Sequence, residues 1–330
     1  MRLIGLAVVL VASFFLAAPL VSFAQQQPPR IARIGFLGVT SASLSISVIR
    51  VEALRRGLRD LGYVEGKNLT IEFRWAEGRH ERLPELAAEL VGLKVDVIVA
   101  QGTQGASAAK QATATIPIVM PVVADPVDTG LVASLARPGG NVTGLTWFSE
   151  EVSTKRLELL KGAAPRTKRV AVLSNPDNRS NPPILKAMEL AARSLGLELQ
   201  QFQARGPNEL ESAFAAMAVK RVDAVTIIED TILLANAKAI ASLALKNRLP
   251  LIASNEHAEA GSLMAYGADF TEMFQRAATY VDKILKGAKP GELPIERATK
   301  FDFVINLKTA KALGLTIPPS VLARADKVIQ

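Results

Sequence analysis

The chain has 330 residues, 49% of them hydrophobic and none of them cysteine, and carries a formal net charge of +8 at pH 7. That length and apolar content suffice for two domains of ordinary size, while the missing thiols exclude a disulfide framework, a thiol nucleophile and a cysteine-ligated metal. Basic residues such as Lys155-Arg156 and Lys168-Arg169 are interleaved with acids and aromatics are only 5%, a pattern of solvated surface that argues against a nucleic-acid partner.

The first segment pairs Arg2 with an apolar run over 3–16 and small residues at Ser22 and Ala24, flanking Phe23. This is the pattern of a secretory signal peptide, residues 1–24, with the cut expected between Ala24 and Gln25. The apolar run is short for a full membrane span, and there is no lipid-attachment cysteine at the cut. A freely diffusing periplasmic monomer is therefore expected.

From residue 31 onward, short β-branched runs alternate with amphipathic helical stretches, the pattern of parallel α/β sheets. A strand is expected over 31–37, then a helix with Val51, Leu54, Leu58 and Leu61 on one face, ending at Gly62. Strand 69–75, a helix with Leu83, Leu86, Leu90 and Val91 inward, strand 95–100, a helix from Thr103 and strand 116–123 follow. The same order then begins again. Arg33-Ile34-Gly35-Phe36-Leu37 is echoed by Arg169-Val170-Ala171-Val172-Leu173, Leu61-Gly62-Tyr63 by Leu195-Gly196-Leu197, and Val95-Asp96-Val97-Ile98 by Val222-Asp223-Ala224-Val225. The helix at 83–91 is matched by Leu210, Ala213, Phe214 and Met217, and Ile116-Pro117-Ile118-Val119 by Leu249-Pro250-Leu251-Ile252.

An ordered internal echo implies two topologically similar lobes, each an open parallel sheet, with a cleft where their carboxyl edges face. Passages between lobes are expected at 142–146, near Tyr266-Gly267 and after Lys289-Pro290-Gly291, giving a three-stranded hinge able to close on a ligand. Lobe 1 is then 31–143 with 268–289, and lobe 2 is 144–267 with 290–330.

Three segments carry a family resemblance: Leu61-Gly62-Tyr63-Val64-Glu65-Gly66-Lys67-Asn68, the run from Gly130 through Ala136-Arg137-Pro138-Gly139-Gly140-Asn141-Val142-Thr143-Gly144, and the tail Ile305-Asn306-Leu307-Lys308-Thr309-Ala310-Lys311-Ala312-Leu313-Gly314-Leu315. With Asp125-Pro126-Val127 they make the chain resemble the ABC transporter substrate-binding proteins of the tryptophan/tyrosine type, which have the type I periplasmic binding fold. The resemblance implies capture of a small organic solute, an amino acid or related carboxylate, with an ABC permease and an ATPase as partners. It departs from the family pattern at Gly261-Ser262-Leu263-Met264-Ala265-Tyr266-Gly267 and at Ser254-Asn255-Glu256-His257, which border the second-lobe wall.

Candidate ligand contacts lie in the loops after the strands. Thr40, Ser41 and Ser43, and likewise Gly102, Thr103 and Gln104, stand at helix starts whose free amides suit a carboxylate, although the hydroxyls serve equally as helix caps. Asp125, with Asp230 and Asp269 as counterparts, is placed to meet an ammonium or a hydroxyl, and Asn175 and Asp177 to add polar contacts; turn and capping duty is the competing role. Ser254 belongs to the same wall. Trp147 and Tyr266, beside two expected crossings, offer stacking platforms or hinge packing.

No catalytic group, metal or cofactor is expected. His80 and His257 lack partners at metal-ligand spacing, and neither a Gly-x-Ser-x-Gly elbow nor a phosphate-binding glycine loop is present. Two other functions stay open: a ligand sensor docking on a membrane receptor, and an α/β enzyme using Asp125 or Asp230 as a base.

Overall fold

A computed structural model describes residues 31–330; the expected signal peptide lies outside the described residues. The chain begins with β1 (Ala32–Gly38), α1 (Ser45–Asp60), β2 (Leu69–Trp75), α2 (Leu83–Gly92), β3 (Val97–Ala100), α3 (Gly102–Ala112), β4 (Ile118–Val123) and β5 (Val142–Thr146). It continues with α4 (Ser149–Ala163), β6 (Arg169–Ser174), α5 (Asn181–Ser194), β7 (Glu198–Gln203), α6 (Pro207–Val219), β8 (Ala224–Ile227), α7 (Thr231–Ala235), α8 (Ala237–Lys246), β9 (Leu251–Ala253), α9 (Asn255–Glu259) and β10 (Met264–Ala268). Then come α10 (Phe270–Leu285), β11 (Glu296–Arg297), β12 (Phe301–Asn306), α11 (Leu307–Leu313), α12 (Pro319–Leu322) and β13 (Lys327–Ile329).

Two sheets result, with strand orders β11-β5-β4-β3-β1-β2 and β13-β12-β10-β9-β8-β6-β7. Both are parallel apart from the antiparallel pairing of β10 with β12. The central strands β3 and β8 are buried along their whole length, because helices cover both faces, and this is why they read as continuous β-branched runs in the sequence. On the first sheet α1 buries Val51, Leu54 and Leu58 and packs closely on α10. Gly57 permits that approach: a Cβ there would stand 2.4 Å from the Gln275 carbonyl oxygen.

The chain passes between sheets three times. Trp147 and Phe148 link β5 of the first sheet to α4, which packs on the second; Asp269 links β10 to α10; residues 298–300 link β11 to β12. The short strands β5 and β11 pair with each other in the first sheet. The first sheet thus continues through Thr146 and regains the chain at Glu296, whereas the sequence places lobe boundaries after 143 and 289. A two-residue strand carries too little pattern to reveal its partner; hydrogen bonding to β5 decides where β11 belongs. Among the described residues, no helix is long and apolar enough to cross a membrane.

Candidate functional site

The carboxyl edges of the two sheets face one another, and the residues projecting from them line a narrow cavity that is partly open to solvent. The first-sheet wall is built around the turn from β3 into α3. Gln101 is oriented by accepting from the Val39 amide at 2.9 Å. Gly102 has φ +70°, and a Cβ there would lie 2.8 Å from Thr231 Oγ1 of the opposite lobe, so both backbone conformation and close approach require glycine. Next to it, Thr103 Oγ1 lies 3.3 Å from Ser180 Oγ and Gln104 Nε2 lies 3.5 Å from Asp230 Oδ2, two contacts that span the cleft.

Three rings and one cation complete this wall. Trp147 meets Phe270 edge-on, centroids 5.4 Å apart. Arg50, on α1, lays its guanidinium 5.4 Å from the Phe270 ring and 5.7 Å from Phe274, a cation–π arrangement in a shielded setting. Its Nη2 donates to Glu256 Oε1 at 3.0 Å across the cleft, and its Nε finds no partner among the described residues. Burial pushes the Arg50 pKa down, with the Glu256 charge opposing that shift.

The second-sheet wall is a connected polar network. Arg156, on α4, has no exposed side-chain surface and pairs through Nη1 with Glu229 Oε2, while its Nε donates to the Tyr266 carbonyl at 2.7 Å. Glu229 Oε1 is buried and unpartnered among the described residues. Asp230 caps α7, its Oδ1 accepting from the amides of Ile232 and Leu233 and from Asn175 Nδ2 at 3.1 Å. Asn178 Nδ2 donates to the Glu229 carbonyl. Burial raises the pKa of both acids; the Arg156 charge opposes the rise at Glu229, and the Asn175 hydrogen bond opposes it at Asp230. Behind the wall His257 is 1% exposed, with Nδ1 2.9 Å from Ser254 Oγ, and burial together with the Arg156 charge pushes its pKa down to about 3.

Of the residues singled out from sequence, Gly102, Thr103, Gln104, Trp147 and Asp230 line the cavity. The others lie off it. Thr40 is buried against Ser47, their hydroxyls 2.8 Å apart, and the Ser41 and Ser43 hydroxyls bond one another. Asp125 closes an Asx turn by accepting from the Val127 and Asp128 amides, and Asp269 caps α10 by accepting from those of Thr271 and Glu272; both take the turn or cap role that the sequence leaves open. Asn175 stands behind Asp230, Ser254 holds His257, and exposed Asp177 faces Arg205 at 3.6 Å. Tyr266 stacks on Phe301 at the hinge, centroids 6.0 Å apart.

Sequence reasoning missed Arg50, Glu229, Phe270 and Phe274, all of which line the cavity. A signal existed for Arg50: it lies four residues before Leu54 and eight before Leu58, on the inward face of α1, where an unpaired cation is out of place. Phe270 and Phe274 share the corresponding spacing on α10. Among the described residues no cluster of metal-ligating side chains occurs.

The profile of the family described as ABC transporter substrate binding protein matches residues 46–329. Over 261 residues the chain is 30% identical to a tyrosine-binding protein of Clostridioides difficile strain R20291, covering 79% of this chain and 75% of that protein. A solved ABC domain from Streptococcus pneumoniae in complex with L-Trp is 28% identical with a TM-score of 0.83, covering 90% of this chain and 99% of that one. The ligand-free, open structure of a substrate-binding protein from Clostridium difficile is 26% identical with a TM-score of 0.64, covering 91% of this chain and all of that one, 100%. The architecture is the type I periplasmic binding fold, and the chain belongs to the ABC transporter substrate-binding protein family.

Proposed function

We propose that this protein is the periplasmic solute-binding component of an ABC importer, that its solute is an aromatic amino acid, and that its lobes close on that solute about the three crossings. The observation that carries this reading is the content of the cavity. Trp147, Phe270 and Phe274 supply an apolar wall of rings suited to a flat side chain, while Arg50 on one side and Glu229 and Asp230 on the other supply opposite charges. Closure is supported by the cross-cleft contacts of Arg50, Gly102, Thr103 and Gln104. It is also supported by the greater likeness to the L-Trp-bound relative than to the open, ligand-free one at nearly equal identity. The protein acts as a monomer that presents the closed form to a permease driven by an ATPase.

Thermal melts and small-angle scattering with L-tryptophan, L-tyrosine and L-phenylalanine test the reading. A ligand at about 100 times its Kd adds ~2.7 kcal/mol to stability, so a rise of several degrees in Tm and a smaller radius of gyration are expected. A folded protein that responds to none of the three in either measurement contradicts it.

A further inference from the structure

Among the described residues lining the cavity, Arg50 is the single cation and Glu229 and Asp230 are the two acids. They enter from opposite lobes. Arg50 Nε and Glu229 Oε1 are both removed from solvent and lack a hydrogen-bond partner among the described residues, and each side chain is only 5% exposed. A buried donor and a buried acceptor on charged groups are costly to leave unpaired. Both atoms belong to residues that line one cavity, from opposite lobes and with opposite polarity, and they call for an occupant that satisfies both.

We propose that these two atoms read the two ends of the ligand: Arg50 Nε donates to its α-carboxylate, and Glu229 Oε1 accepts from its α-ammonium. The inference rests on the aromatic amino acid reading and adds the ligand's orientation and the residues that set its class. Each group is held in place by a partner on its other edge, Glu256 for Arg50 and Arg156 for Glu229. Those two ion pairs are each neutral. A zwitterion entering between them adds no net charge to a shielded space, whereas an amine without a carboxylate, or an acid without an ammonium, brings an uncompensated one. Asp230, whose Oδ1 already accepts from Asn175, Ile232 and Leu233, adds negative potential on the Glu229 side and fixes the ammonium to that wall. Because the Arg50 guanidinium also reaches Glu256 on the opposite lobe, carboxylate recognition and the cross-cleft contact share one planar group. Lysine, a point charge, cannot make both.

Calorimetric titration with L-tryptophan, tryptamine and indole-3-propionate tests this on the full protein. Wild type is expected to prefer L-tryptophan to each analogue by at least about 100-fold, since a site built around a hydrogen bond rejects ligands that lack it. Arg50→Gln and Arg50→Lys are expected to collapse the preference over tryptamine while retaining that over indole-3-propionate; Glu229→Gln is expected to do the converse. Variants that weaken all three ligands in equal proportion, or leave both preferences intact, overturn the proposal. The wild-type comparison needs no substitution: binding of L-tryptophan no tighter than of its analogues overturns this inference alone. A wild type that binds none of the three contradicts the aromatic amino acid reading as well.

Discussion

The two walls of the cavity are built on different principles. Beside the β3–α3 turn, the first-lobe wall presents the rings of Trp147, Phe270 and Phe274 and the Arg50 guanidinium, held mainly by packing. The second-lobe wall is a hydrogen-bonded network in which Arg156, Glu229, Asn175, Asn178 and Asp230 hold one another. The difference separates two tasks. A packed apolar surface accommodates the shape of a side chain, whereas a network wired before the ligand arrives places charge at fixed points without reorganisation on binding.

The sharpest way to break the comparison is to cut the network at Arg156. Arg156→Met leaves Glu229 buried without its counter-charge and should cost about 3–5 kcal/mol, read as a fall in the urea midpoint; a loss below about 1 kcal/mol would mean that the wall stands without the pair. The next effect is one of pH. His257 titrates near 3 in the fold against about 6.5 when unfolded, so between those values the unfolded chain binds the extra proton and stability falls as pH drops. By pH 5 the loss is about 2 kcal/mol, and melts from pH 7 to pH 5 should be flatter in His257→Gln than in wild type. Equal slopes would show that His257 carries no such linkage.

Smaller effects sharpen the contrast. Asn175→Ala removes one donor to Asp230 while the two capping amides remain. It should cost about 1–3 kcal/mol of stability by chemical denaturation. On the opposite wall, Trp147→Leu keeps the apolar packing and loses the ring. It should weaken an aromatic ligand by about 0.5–1.5 kcal/mol, seen by calorimetry, with little change for an aliphatic amino acid; equal losses for both would assign Trp147 to hinge packing.

The order of βα units was legible because strands buried on both faces give unbroken β-branched runs, and because loops after such strands are where open sheets bind. That logic reaches Gly102, Thr103, Gln104 and Asp230, each just beyond β3 or β8. It fails for Asp125 and Asp269, where a carboxylate at a strand end looks the same whether it meets a ligand or caps a turn. Arg50, Phe270 and Phe274 were hidden for another reason. They sit on helices more than 200 residues apart in sequence that share the cavity only because the hinge returns α10 to the first sheet. Glu229 stayed silent because its partner, Arg156, belongs to a helix whose lobe is decided by the first crossing.

The central claim is that the space between the lobes is an amino acid site, and titration of L-tryptophan and L-tyrosine into the folded protein tests it most directly. The account predicts saturable binding at one site per chain, weakened when Arg50 or Glu229 is neutralised. Absence of saturable binding by either amino acid, in protein that melts cooperatively, would contradict it.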